Sequence, residues 1–355
     1  KRKVNFEFSN NKKKDNKFIT FHYITNQMSN NTTKTTIELN RTKDQMPLVG
    51  LGTWKADNGV VEKVVELALK NSYKLVDCAC DYGNEEEVGR GIQSAIEKGY
   101  CTRKELFVTS KLWNTYHRKE HVKEACQRSL KDLGLDYLDL YLIHFPISQR
   151  YVDMNERYPP GWAFDESDGK MEFDSVPIQQ TWEAMEQLVD DGLVRNIGIS
   201  NFSASLIIDL LRYARIRPAV LQIEHHAYLQ QPSLIDWVQR QGIAVTGYSS
   251  FAQISYLALG DAFDWAKKLD NLLTEHKVIA AIAKKHNKST AQVLLQWSVQ
   301  RNVAVIPKST NEDRIKQNIE LDFILDQQDL DGIAGIDKHL RFNNPANYAN
   351  QPIFE

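Results

Sequence analysis

Four cysteines in 355 residues, Cys78, Cys80, Cys101 and Cys126, are too few and too unevenly spaced for a disulfide framework. No CxxC occurs, and no group of His or acidic residues with metal-ligand spacing adjoins the thiols, so no metal is expected. Long apolar runs are missing: nothing approaches the roughly 18–20 residues that span a bilayer, and nothing has the layout of a secretory signal. Excess charge is missing as well. Lys and Arg number 44 against 46 Asp and Glu, a formal net charge of −2, which excludes a polycationic field for nucleic acid or anionic membranes. The expectation is a cytoplasmic protein whose partners are small molecules. A dinucleotide fingerprint is also incomplete, because GLGTW (50–54) has the first two glycines of GxGxxG and no third.

What is present is a chain that is 42% hydrophobic and 25% charged, enough for one large domain or two small ones. Residues 1–27 carry seven Lys or Arg against two acids and lead into Met28 and a Thr-rich stretch. Residues 1–35 are expected to be a disordered basic N-terminal tail or a non-native extension, and residues 36–355 the folded domain.

From residue 36 onward, short β-branched or apolar runs recur: PLVGLG (47–52), KLVDC (74–78), LFVTS (106–110), LDLYLIH (138–144), NIGIS (196–200), AVLQIE (219–224), IAVTGYS (243–249) and VAVIP (303–307). Between them lie stretches with helical spacing, among them 58–70, 121–133, 177–191 and 290–300. Such alternation argues for parallel βαβ units, and eight strands with no long break in composition favour a closed (β/α)8 TIM barrel over an open doubly wound sheet. In a barrel the chemistry sits at the C-terminal ends of the strands. Those ends hold Thr53 and Trp54, Asp77 and Tyr82, Lys111 and Trp113, His144, Ser200 and Asn201, Gln222, Tyr248 to Ser250, and Lys308 with Ser309.

These groups supply the parts of one reaction. A Tyr phenol, with a reference pKa of about 10, is a poor proton donor near neutrality unless a cation stabilises its anion. Lys111 is the candidate cation, Asp77 its counter-charge, and His144 a ring N–H donor able to orient a carbonyl oxygen. The stretch IPKSTNEDRIKQN (306–318) reads as a strand followed by a Ser/Thr/Asn turn that opens a helix, an arrangement suited to an anion beside Lys308 and Arg314.

Asp77-x4-Tyr82, Lys111 within TSKLWN and His144 within LIHFP resemble the catalytic tetrad of the aldo-keto reductases, and the similarity runs from about Met46 to Glu355. GNEEEVG (83–89), GISNF (198–202), QIEHHAYLQQ (222–231) and GYSSF (247–251) extend it, while YPPG (158–161) and LRFNNP (340–345) point to the xylose and aldose reductases within that family. The resemblance implies hydride transfer from NADPH, with NADH possible, to the carbonyl of an aldose or other small aldehyde, Tyr82 giving the proton. It implies a cofactor site of Thr53, Trp54, Ser200, Asn201, Gln222, Tyr248, Ser249, Ser250, Lys308, Ser309, Thr310, Asn311, Arg314 and Asn318, and substrate contacts from Trp54, Trp113, His144, Phe342 and Asn343. It also implies a monomer or homodimer. The chain departs from the family pattern at Thr310, where Asn is frequent, at Ala252-Gln253, where Gly-Pro is usual, and at Ala227, where Pro is usual. Two other readings stand beside this one: a cofactor-binding regulatory subunit without significant turnover, and a phosphate-binding isomerase or lyase barrel.

Overall fold

Alternation along the strands decides which side chains face inward, and the computed structural model shows the consequence. It describes residues 34–56, 59–165 and 167–355; the expected tail falls largely on residues 1–33, outside the described residues. A short antiparallel hairpin, β1 (Thr36–Glu38) and β2 (Gln45–Pro47), precedes the barrel. Eight parallel strands then follow in chain order: β3 (Gly50–Gly52), β4 (Leu75–Asp77), β5 (Phe107–Leu112), β6 (Leu138–Ile143), β7 (Val194–Ser200), β8 (Val220–Glu224), β9 (Ala244–Tyr248) and β10 (Val303–Val305). A parallel bridge from Val49 to Val305 and the bond from Gly52 N to Pro307 O (3.3 Å) join the last strand to the first. At this seam a Cβ on Gly52 would lie 2.5 Å from Ile306 O, so the second glycine of GLGTW permits closure rather than phosphate approach.

Two apolar cores separate by strand parity. Leu75, Phe107, Leu140, Leu142, Val220, Ala244 and Ala304 belong to one cluster, inside the barrel. Val76, Val108, Tyr141, Ile143, Ile197, Ile199, Leu221 and Val245 belong to a second, packed under the helices. Helices Val61–Lys70, Lys119–Leu133, Ile178–Asp190 and Thr290–Val299 occupy the four stretches with helical spacing, within three residues at each end. The hairpin places Leu39 and Met46 in the inner cluster and ties Asn40 Nδ2 to Pro218 O at 2.9 Å, plugging the N-terminal end of the barrel. Its two strands are only three residues each, too short for periodicity to reveal. Among the described residues no helix is long and apolar enough to cross a membrane.

Candidate active site

Inward parity carries on from the core to the mouth, so Asp77, Lys111, His144, Ser200, Gln222, Glu224 and Tyr248 all stand on the inner face at or just beyond the C-terminal strand ends. Lys111 lies one residue inside β5 rather than after it, and is completely buried. Its three N–H donors are all used: Asp77 Oδ1 at 2.7 Å, Cys78 O at 3.0 Å and the Tyr82 hydroxyl at 3.0 Å. Despite the burial that opposes it, Asp77 and the Tyr82 oxygen hold the Lys111 ammonium above its ordinary value. The other oxygen of Asp77 accepts Gln222 Nε2 at 2.7 Å. Tyr82 arrives from a short 3-10 turn, Cys80–Tyr82, that Gly83 ends with φ +67°, so the phenol folds back over the mouth.

Burial pushes the Tyr82 phenol above its ordinary value, and Lys111 offsets only part of that rise. Tyr82 is therefore held protonated, with a lone pair already receiving Lys111 and its O–H free to donate into the mouth. His144 meets the edge of Tyr82 with ring centroids 5.9 Å apart, and burial together with the Lys111 charge drives its imidazolium well below the usual range. A neutral imidazole with one N–H results.

The residues expected to face a nicotinamide are mutually tied. Tyr248 donates its hydroxyl to Asn201 Oδ1 at 2.6 Å, and Asn201 donates Nδ2 to His144 O at 2.9 Å and to Ser200 Oγ at 3.1 Å. Asn201 holds φ +63°, a left-handed conformation that Asn tolerates better than most residues. Gln222 gives its N–H to Asp77, which leaves its carbonyl oxygen for a ligand. Thr53 donates its hydroxyl to Asp77 O at 3.0 Å. Ser249 shares a 2.8 Å bond with the Tyr256 hydroxyl, whereas the buried Ser250 Oγ has no protein partner.

At the end expected to take a phosphate the picture is looser. Lys308, Thr310, Asn311 and Arg314 are exposed, and Ser309 and Asn318 are buried. Asn311 caps helix Glu312–Ile319 by accepting Arg314 N at 3.0 Å, and Glu312 and Asp313 occupy its first turn. Positive charge for an anion must come from side chains there, since one terminal N–H is already capped and two acids follow. Lys55, directly after GLGTW, adds to that charge. Its ammonium is pushed down to about 8 by burial and by the positive charge of Lys308.

The loop after β9 shows what replaced Gly-Pro. Ala252 takes φ +54°, the conformation a glycine would adopt without strain, and Gln253, buried, donates Nε2 to Asp270 O at 3.0 Å, pinning the far end of the loop. Tyr256 of this loop stacks on Phe342 at 5.3 Å, and Trp265 covers the ring from 5.5 Å. Phe342, expected to touch substrate, is thus buried and stacked with both rings. Trp113 is wholly buried, gives its indole N–H to Gly161 O at 2.9 Å and braces His144 edge-on at 5.2 Å. Trp54 remains partly exposed, with Lys55 Nζ 4.6 Å over its ring. Asn343 joins the mouth by donating Nδ2 to the Tyr248 hydroxyl at 3.3 Å and accepting the Tyr348 hydroxyl at 2.8 Å.

Three groups at the mouth escape sequence reasoning: Lys55, Asp81 and Glu224. Asp81 precedes Tyr82, and burial pushes its carboxyl up to about 7 against the pull of Lys111. The signal for Lys55 was its place after a strand-end motif; Asp81 and Glu224 offered only their positions beside Tyr82 and two residues beyond Gln222. The thiols take no part in the mouth: Cys78 and Cys80 are buried and both are pushed well above the ordinary thiol range, chiefly by burial.

Comparison with known proteins converges on one family. The model of the Aldo/keto reductase family matches residues 48–338. A probable NAD(P)H-dependent D-xylose reductase of Aspergillus terreus is 51% identical over 323 residues, covering 90% of this chain and 99% of its own length. The NAD(P)H-dependent D-xylose reductase I,II of Candida tropicalis is 52% identical over 330 residues, covering 92% of this chain and all of its own. The solved aldose reductase of Schistosoma japonicum is 36% identical, with a TM-score of 0.79 over 90% of this chain and 97% of that one. A family pattern running from the first barrel strand past the last, on a closed eight-stranded barrel, leaves one conclusion: the chain belongs to the aldo/keto reductase family.

Proposed function

We propose that this protein is an NAD(P)H-dependent aldose reductase that converts xylose to xylitol and also accepts other small aldehydes. The observation that carries this reading is the Lys111 ammonium, which spends all three donors on Asp77, Cys78 O and Tyr82 and so leaves the Tyr82 proton aimed into the mouth. When bound, the nicotinamide cofactor supplies the hydride that reduces the carbonyl carbon.

The residues present fit such a cofactor. The Lys55 and Lys308 ammonium groups repel one another, which a phosphate between them would relieve, and Ser250 Oγ, in the loop after β9, is buried without a protein partner. Lys308, Ser309, Thr310, Asn311, Arg314 and Lys55 would hold a phosphate, with the exposed basic groups favouring NADPH over NADH; Asn318 lies buried in the same helix. Ser200, Asn201 and the Gln222 oxygen would hold a carboxamide, with Thr53, Trp54, Ser249 and the Tyr248 ring bordering it.

The chain's own groups then act in order. His144 donates its N–H to the carbonyl oxygen, Tyr82 donates its proton as that oxygen gains charge, and Lys111 stabilises the phenolate left behind. Trp54, Asn343 and Asp81 border the sugar, and Trp113 and Phe342 back them. The reaction takes place in the cytoplasm, in a monomer or homodimer.

The test is oxidation of NADPH followed at steady state with xylose, then with glyceraldehyde, and again with Tyr82→Phe. Turnover by the parent chain and a loss of roughly 10²–10⁴-fold in the variant, with NADPH binding retained, are expected. A parent chain that binds NADPH without oxidising it would instead support a regulatory subunit; failure to bind NADPH would support a phosphate-binding barrel of another class.

A further inference from the structure

Gln222 and Glu224 stand two residues apart on β8 and so face the same way, Gln222 to Asp77 and Glu224 beyond it to the rim. Glu224 is completely buried. A buried carboxylate is costly unless several donors compensate it, and here they are unusual ones. The backbone N–H of Phe342 donates to Oε1 at 2.9 Å and that of Asn343 to Oε2 at 2.8 Å, while His226 Nε2 lies 2.8 Å from Oε1. The C-terminal segment is also tied upstream, through Lys338 N (3.2 Å) and Leu340 N (3.0 Å) to Tyr228 O. Glu224 is the anchor adjoining Asn343, whose side chain reaches Tyr248 and Tyr348 at the mouth.

We infer that Glu224 is a positioning residue for sugar recognition: its two oxygens clamp consecutive amides of the C-terminal segment and so hold the Asn343 side chain where substrate hydroxyls arrive. This rests on the reductase reading above. The chemistry demands a carboxylate of this length. A glutamine has one acceptor oxygen and would turn an NH2 toward a backbone N–H; an aspartate is one methylene too short to reach both amides.

The experiment compares Glu224→Gln and Glu224→Asp with the parent enzyme on xylose and on butanal, an aldehyde without hydroxyls. A rise of about tenfold in KM for xylose is expected, with kcat/KM for butanal and the NADPH Kd changed by no more than about twofold. Asn343→Ala should show at least the same rise in KM for xylose, and adding Glu224→Gln to it should cost little more. Equal losses on both aldehydes, or additive losses in the double variant, would overturn the assignment. Should neither Glu224 variant fold, amide hydrogen exchange of the unmodified protein decides: Phe342 and Asn343 protected like the barrel strands supports the clamp, and exchange at exposed-loop rates refutes it. Xylose turnover by the parent chain separately decides the reductase reading, so the two failures are distinguishable.

Discussion

Two lysines face the same barrel mouth under opposite conditions. Lys111 is buried among Asp77, Cys78 O and Tyr82, every donor spent, and its ammonium is held above the ordinary range. Lys55 gives one bond to Ser255 O (3.0 Å), has Lys308 for an electrostatic neighbour, and is pushed down to about 8. One end of the site is electrostatically complete in the protein alone, whereas the other keeps two like charges as neighbours. On the proposed reading, a protein that must release a spent cofactor would gain from that asymmetry, because the reacting centre would stay assembled while the Lys55 and Lys308 end is relieved or strained by each exchange.

The largest expected effect breaks the complete end. Lys111→Met removes the cation that stabilises the Tyr82 anion and strands a buried Asp77, so kcat should fall by roughly 10³-fold and stability by about 3–5 kcal/mol. Steady-state turnover and chemical unfolding measure the two parts; a stable, active variant would end the comparison.

At the incomplete end, Lys55→Met and Lys308→Met should each raise the Kd for NADPH by roughly 10–100-fold while leaving the fold unharmed, since each removes a charge that repels its neighbour in the free protein. Fluorescence titration would read the loss. Unchanged affinity in both variants would place the phosphates elsewhere.

The pH response sharpens the same point. A lysine whose folded value of about 8 lies below its ordinary 10.5 carries its full penalty below pH 8, and the penalty fades as pH rises from there toward 10.5. An anion favours the charged form, so NADPH affinity should be full below pH 8 and weaken about tenfold by pH 9. The same titration with Lys55→Met should be nearly flat, and a parallel fall in that variant would assign the titration to another group.

The smallest effect lies behind the mouth. Glu85 is buried, accepts Ser110 Oγ at 2.5 Å and Ser129 Oγ at 2.8 Å, and is pushed up to about 7, first by burial. Between its ordinary 4.5 and 7 the folded chain keeps a proton that the unfolded chain has lost, so stability falls as pH rises through that window and levels off above it. Glu85→Gln should match the parent near pH 5 and unfold a few degrees higher at pH 8, by thermal denaturation.

Much of this is legible in the sequence. The eight strands were readable because each carries a run of β-branched and apolar residues covered on both sides, and Asp77, Tyr82, Lys111 and His144 because they stand at or just past the ends of such runs. The hairpin was not readable, being too short for a period. The stacking of Phe342 with Tyr256 and Trp265 was not readable either, because only the packed loop brings those rings together. The net shift of Tyr82 was not readable for a related reason: a neighbouring lysine can be named from sequence, but the depth of burial that outweighs it cannot.

The sequence by itself determined the barrel, the inward parity of its strands and the identity of the polar groups at its mouth, because these follow from local periodicity and residue chemistry. Tertiary structure alone decided which of those groups meet. Lys111 and Asp77 are 34 residues apart and Gln222 and Asp77 145, while Glu224 finds Phe342 and Asn343 across 118 and 119. The charge compensation of Lys111, Asp77 and Glu224 and the shifts of Lys111 and Tyr82 arise from such distant encounters, since the dielectric and the partners around a buried side chain are properties of the packed interior.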